Sequence, residues 1–589
     1  MNKIFLIGAS AIALSAAPAF AQSNSSTVSQ TGDDNSVNVS QPGTGNDSTV
    51  TQTGDDNLIG VTQSGTNNES VASQLNGLAT GGTPPSNEST IIQEGDGGFS
   101  ELTQTGDNIA VVNQVAGSSG MNSELTQENA GGGASNNAAV TQFGQGSGFG
   151  SGTGSFVAQS GTGGNVVVDQ SGGTVDAVSL IDQSGEDDTA DVLQNNGVDI
   201  TSFVVQSGDR ENAFVRQTNG DDNFSDISQS GADNDASILQ TAAGNSSSVA
   251  QSGTFGTTDV DQNGTNASST VSQAGDQQIA TIAQTGDNNT SILTQGATSQ
   301  GAQAVITQSG SGHSSTVNQT GLASFFPAPI PGVSVTQSGT NNTAEIDQAG
   351  DHIRWQFGPT AGLSANSSPT ALVFQQSSGN FADIDQDGLS TLSSNTQSGS
   401  DNDVTVGQTG ENNYALTNQQ GNRGAITIDQ SAATPGGSLA FVDVFQSGDD
   451  NQASVTQDGS GTPGASTFIP LADIDQVGNN NMSTSTQSGQ EDQVFVTQIG
   501  NGNTSTTTQN AGGLTNVGDI DQNGDDGISE LTQSGTSNDA TLVQNGMLNE
   551  SFITQDGTTN MATVTQGGMG DLSTVGQTGT SNTVTVTQN

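Results

Sequence analysis

Between Asn46 and Gln74, small or apolar residues occupy every second position on the way from each Asn to the next Gln. Ser48 and Val50 precede Gln52, Ile59 and Val61 precede Gln63, and Ser70 and Ala72 precede Gln74. A two-residue period predicts strands with one face turned inward, carrying Val50, Ile59 and Val61 in and Thr51 and Thr62 out. Gly54 and Gly65 follow the first two glutamines by two places, and Asn57 and Asn68 follow them by five. Gly and Asn both tolerate positive φ at low cost, so each Gly-x-x-Asn segment predicts a tight reversal. One unit is a strand of about seven residues and a turn.

Anchored on Gln30, the pattern recurs through 46 glutamines and ends at Gln588. Of the 45 intervals, 31 are eleven residues, and Gly stands second after 35 of the 45 anchors that have a successor. Such a period identifies a repeat architecture before any motif is considered. A single strand of this kind has no core, but two consecutive strands folded over each other make a rung of about 22 residues, and rungs can stack. The expected fold is all-β: a β-solenoid of strand-turn-strand rungs, two stacked parallel sheets with loop insertions. Val and Ile pack between the sheets, and the recurring Gln and Asn stack as hydrogen-bonded ladders.

Proline marks the insertions, because it cannot donate to a sheet ladder. Apart from Pro18 and Pro42, the ten prolines (Pro84, Pro85, Pro327, Pro329, Pro331, Pro359, Pro369, Pro435, Pro463, Pro470) all fall in the long intervals. The seven intervals of fifteen or more residues follow units 5, 9, 10, 25, 27, 33 and 35. Six of these are odd, so with two strands per rung the large loops should share one edge.

Composition alone, with 29% hydrophobic and 4% aromatic residues and 81 Gly, approaches that of disordered chains. Periodicity argues the other way, since a disordered tract needs no register. The absence of Cys removes disulfides and thiolate metal sites. A net charge of −54 leaves no basic patch for a nucleic-acid backbone. Residues 1–21 read as a secretory signal peptide, with Lys3, an apolar run from Ile4 to Leu14, and Ala19-Phe20-Ala21 before Gln22. Residues 22–589 are then the secreted repeat region, with no membrane insertion after cleavage. Its basic residues are Arg210, Arg216, Arg354 and Arg423.

Candidate chemistry is sparse. His313 and His352 read as exposed loop histidines without a Cys or second His near them. No Gly-x-Ser-x-Gly elbow or Gly-Lys-Ser/Thr phosphate loop occurs. Arg354-Trp355, in the longest interval, reads as a loop packed on the solenoid flank. Gly-Asp-Asp-Asn turns at Gly32, Gly54, Gly220 and Gly448 would stack carboxylates into columns that calcium could bridge. The period is eleven residues, however, and not the nine of a calcium β-roll, so these read as solvated acidic turns. No catalytic, cofactor-binding or metal-ligating residue is assigned, and an enzyme is not expected.

The spacing Ser-x5-Gln-x-Gly-x2-Asn-x5-Gln resembles the curlin repeat, the unit of the bacterial curli amyloid subunits. Ser26, Gln30, Gly32, Asn35 and Gln41 carry it loosely; Asn46, Gln52, Gly54, Asn57 and Gln63 carry it more tightly, with Asn in place of Ser. The resemblance covers nearly all of residues 22–589. It implies a secreted structural subunit that self-associates into extracellular amyloid-like fibres for adhesion and biofilm at the cell surface. Curli-type secretion and nucleation proteins would be its partners. The chain departs from typical curlins in having many more repeats, and only Gln22 and Ser23 stand where a Gly/Asn-rich leader is expected. The alternative is a calcium-binding or loop-displaying surface adhesin with a monomeric solenoid. With Asn24 already inward and the last unit complete through Val584, Val586 and Gln588, uncapped terminal rungs and end-to-end growth are expected.

Overall fold

The structure is a computed structural model that describes residues 23–75, 86–129, 134–145, 154–320, 332–349, 370–388, 391–410, 412–431, 440–458 and 470–589. Its regular elements are 46 strands, one for each anchoring glutamine, and the described residues contain no helix. The strands fall in two compact units, Met1–Phe203 and Val204–Asn589.

In the first unit the odd-numbered strands, from Ser25–Thr31 to Val178–Gln183, pair in parallel to form one sheet. The even-numbered strands, from Ser36–Ser40 to Thr189–Asn195, form the other. The second unit repeats the arrangement. Odd strands run from Phe224–Gln229 to Leu572–Thr580 in one sheet and even strands from Asn212–Thr218 to Thr583–Gln588 in the other. Register places like on like: Val28 pairs with Val50 and Gln30 with Gln52. This is the β-solenoid that the period implies.

The two-residue pattern sets which face is buried. Ser48, Val50 and Gln52 are fully buried while Thr49 and Thr51 are exposed, and Ile59, Val61 and Gln63 are buried next to half-exposed Thr62. Burying each Val or Ile contributes about 1.5–3 kcal/mol relative to exposure. Each strand supplies only two such positions besides its Gln, so the core is thin.

The turns correct one expectation. The left-handed residue is not the Asn of the Gly-x-x-Asn segment but the one before it, as in Asp56 (φ 59°) before Asn57 and Asn67 (φ 57°) before Asn68. Asp or Asn fills 18 of the 29 non-Gly positions with positive φ, because their short polar side chains tolerate that region best. The Asn that follows turns its side chain inward and serves a ladder instead. The Gly two places after each Gln has a second cause besides the turn. A methyl group on Gly65 would lie 1.6 Å from the Gly95 carbonyl oxygen one rung away, and on Gly32 it would lie 2.0 Å from that of Gly54. Rungs stack too closely there for any side chain.

Long insertions do not disturb the register. Gln337 pairs with Gln375 and Gln348 with Gln386, each 38 residues on, so the 27-residue interval after Gln348 shifts no parity. In the second unit all four long intervals therefore run from an odd to an even strand and join the solenoid at one edge. In the first unit two of three do so. The loop residues themselves lie outside the described residues, including every long-interval proline except Pro470, whose carbonyl accepts the Phe441 N–H at 2.9 Å.

Candidate functional site: glutamine and asparagine ladders

The buried glutamines form continuous chains of amides. In the first unit the Nε2 of each donates to Oε1 of the Gln one rung on, along Gln30, Gln52, Gln74, Gln104, Gln127, Gln159 and Gln183, at 2.7–3.0 Å. The opposite sheet repeats this along Gln41, Gln63, Gln93, Gln114, Gln142, Gln170 and Gln194, at 2.7–3.1 Å. In the second unit one ladder runs from Gln206 to Gln577 at 2.6–3.2 Å. Its counterpart runs from Gln217 to Gln588 at 2.7–3.0 Å.

All these bonds point the same way, so the amide dipoles add and each bond polarises the next. The second Nε2 proton crosses between the sheets. Gln52 donates to the Ser36 carbonyl at 3.2 Å and Gln63 to that of Asp47 at 2.9 Å. Each amide thus ties rung to rung and sheet to sheet, which offsets the cost of burying it.

The Asn at the start of each strand makes a second ladder. Asn46 Oδ1 accepts the Asn68 N–H at 2.9 Å, and its Nδ2 donates to the carbonyls of Gln63 and Gly65 at 3.2 and 3.1 Å. Three titratable side chains occupy this position. Glu211 Oε1 accepts from Asn234 Nδ2 at 3.3 Å. Asp492, with no exposed surface, accepts the N–H and Nδ2 of Asn516 on Oδ1 at 3.0 and 3.1 Å. Burial pushes its carboxyl up to about 6, against the lowering effect of those hydrogen bonds.

His313 is the third, and it corrects the expected exposed loop histidine. It is 1% exposed and stands five residues after Gln308, in an interval of the regular eleven. Its N–H donates to Asn289 Oδ1 at 3.0 Å, its Nδ1 accepts the Asn342 N–H at 3.3 Å, and its Nε2 lies 3.1 Å from the Ser309 carbonyl. That pattern fits a neutral ring protonated on Nε2, and burial lowers its pKa accordingly. His352, Arg354 and Trp355 lie outside the described residues.

The acidic turns are not bare columns of charge. Asp55 Oδ1 accepts the Asp33 N–H at 2.7 Å, Asp96 Oδ1 accepts from Thr66 N and Oγ1 at 3.0 and 2.6 Å, and Asp449 Oδ1 accepts the Asn422 N–H at 3.0 Å. Here a turn carboxylate ties its own rung to the preceding one. Two turns pair an Arg with the next rung's Asp: Arg210 with Asp233 and Arg423 with Asp450, both at 2.7 Å. The guanidiniums hold both carboxyls below the usual range, and such exposed pairs contribute little to stability. Among the described residues, no group of three or more His, Cys, Asp or Glu is placed to hold a metal ion, and no helix is long and apolar enough to cross a membrane.

Comparison with curated proteins gives no match. Comparison with protein families gives the curlin associated repeat, at residues 399–431, 535–568 and 557–589. The second match covers the three consecutive strands Asp539–Gln544, Glu550–Thr558 and Met561–Gln566, with the Gly and Asn of the turns between them. The chain carries curlin associated repeats, and the strand-turn-strand unit matched there is the one its ladders stack throughout both units.

Proposed function

We propose that the protein is a secreted, curlin-like structural subunit that self-associates into amyloid-like fibres on the bacterial surface and supports adhesion and biofilm. Residues 1–21 act as the export signal, residues 22–589 are the mature subunit, and curli-type secretion and nucleation proteins are its partners. One observation carries this reading. Within a single chain, identical side chains already stack in register on parallel strands, with amide ladders along both sheets, which is the bonding of a cross-β fibril. A rung from another molecule would meet the same donors and acceptors as a rung of the same chain.

The test is purified mature protein incubated and followed by thioflavin fluorescence, electron microscopy and fibre diffraction. Fibres with a reflection near about 4.8 Å along the axis are expected, at low calcium as well as high. A protein that stays monomeric for days at high concentration, or assembles only as calcium is added, would overturn the proposal in favour of a calcium-dependent adhesin.

A further inference from the structure

Aromatic residues make up 4% of the sequence, yet four of them share one outward face in the second unit. The strands Asn413–Gln420, Ala440–Ser447, Leu471–Val477 and Gln493–Ile499 are successive neighbours in the even sheet. Register sets Tyr414 beside Phe441, and Phe441 beside Leu471. In the middle row Leu416 lies beside Asp443, Asp443 beside Asp473, and Asp473 beside Phe495. In the third row Phe445 lies beside Asp475. The intervening Val442, Val444, Ala472, Ile474, Val494 and Val496 are buried, so the aromatic and acidic side chains all point outward, where Asp475 is exposed and the rest are half-buried.

Two carboxylates, Asp443 and Asp473, are thus framed by Phe441, Phe445 and Phe495. Burial raises the pKa of both; Asp473 reaches about 6, with Asp475 and then Asp443 adding to the effect. The other charged groups on neighbouring strands are Asp519 and Asp521 of Val517–Gln522, also acidic, while Gln493–Ile499 and Asn413–Gln420 carry none. No Lys or Arg lies on any of these strands, so the face presents negative charge in an aromatic frame with no cation of its own.

We propose that this face docks a cationic protein segment rich in Arg or Lys, with its charged heads over the Asp443–Asp473 row. Its side-chain stems and guanidinium planes would lie on Phe441, Phe445 and Phe495. Aromatic faces attract cations, and long basic side chains bury their stems on apolar surface while keeping the head charged. Charge complementarity rejects a second copy of this chain, which would bring another acidic row and another −54. Acidity alone does not make the site. On Thr257–Gln262, Asp259 and Asp261 also face outward, but their neighbours there are Ser237, Leu239, Thr281 and Ala283, with no aromatic ring.

The test titrates a fluorescent oligo-arginine peptide, and an oligo-glutamate of equal length, onto the full mature chain at physiological salt. Saturable binding of oligo-arginine alone is expected. Phe445→Ser combined with Phe495→Ser keeps every carboxylate and should weaken binding about tenfold, whereas Asp259→Asn with Asp261→Asn should change it less than about twofold. Asp473→Asn, which leaves the aromatic frame intact, should also weaken binding and flatten its fall between about pH 7 and about pH 5. Circular dichroism reports folding, and Asp473→Asn decides alone should the aromatic variant misfold. Absence of saturable binding, or equal losses from the aromatic pair and the Asp259–Asp261 pair, would mean diffuse counterion attraction and overturn the site.

Discussion

Asp492→Asn should stabilise the protein, and only above the pH at which Asp492 ionises. The side chain is fully buried at a ladder position that Asn516, Asn538, Asn560 and Asn582 fill in the four rungs that follow. As a carboxylate it accepts from Asn516 but cannot donate, whereas Asn516 donates its Nδ2 to the Gly535 carbonyl at 3.0 Å. Burial raises its pKa from 3.8 to about 6. A raised carboxylate pKa means that ionisation opposes folding. The cost is fully present above the folded value, shrinks as pH falls through about 6, and is gone below the unfolded value. A rise of that size corresponds to roughly 2–3 kcal/mol. The substitution keeps the acceptor and restores the donor, so a gain of that size is expected at about pH 8 and almost none at about pH 4. Hydrogen exchange of residues 488–493, with denaturant midpoints at both pH values, reads it. Asp526→Asn, at an exposed left-handed turn position that Asn also tolerates, serves as control and should be silent. No gain at either pH, or a larger gain in acid, would refute the account of the ladder position.

The other expectations concern the core, the ladder and the turn. Val61→Asp places an unpaired charge in a thin core and should cost at least roughly 3 kcal/mol locally, while Thr62→Asp, facing outward, should be close to neutral; equal effects in a chemical unfolding series would contradict the register. Gln262→Ala removes donation to Gln284 Oε1 (2.9 Å) and to the Ser246 carbonyl (3.1 Å) and leaves Gln240 without its acceptor, a loss of roughly 3–5 kcal/mol that hydrogen exchange should confine to adjacent rungs. Gly65→Ala forces backbone apart at the Gly95 carbonyl and should cost roughly 2–4 kcal/mol; Gly60→Ala, with open space around it on the outer face, should stabilise by about 0.5 kcal/mol, and thermal melts of the two should move in opposite directions.

Much of this fold was legible because every rung solves the same problem, so 46 glutamines sufficed to place 46 strands. What escaped was chemistry hidden by the repeat itself. Asn at the fifth place after Gln reads as a turn former, but its side chain is buried in a ladder and the residue before it bends the chain. Counting from the preceding Gln would have exposed Glu211, His313 and Asp492, since each stands five residues on and so inherits a buried place however polar it is. The reason for Gly was likewise double: a turn is visible in one rung, but the carbonyl 1.6 Å from a would-be methyl belongs to another. The aromatic face was illegible for a different reason. Phe441 stands 27 residues after Tyr414, with the insertion before Ala440 between them, and becomes its neighbour only through sheet pairing.

Where the stability sits also explains what can vary. Inward strands such as Met482–Gln487 and Thr504–Gln509 offer Ser483, Ser485, Ser505 and Thr507 where others offer Val or Ile, so apolar burial there is slight. Yet Gln487 still donates to Gln509 at 3.2 Å and both strands keep register. Backbone pairing and the amide ladders therefore carry the rungs that the core cannot. Such bonds are local to neighbouring rungs, so an insertion of any length is tolerated at an edge provided the next Gln returns to its column, as Gln375 does beneath Gln337. Loops are then free to diversify while the ladder residues are not. The ladder also repeats one bonding pattern at every step in a single direction, so a rung presents the same acceptors whichever chain supplies the next. Under the proposed function, growth of a fibre would need no interface separate from the one that folds the monomer.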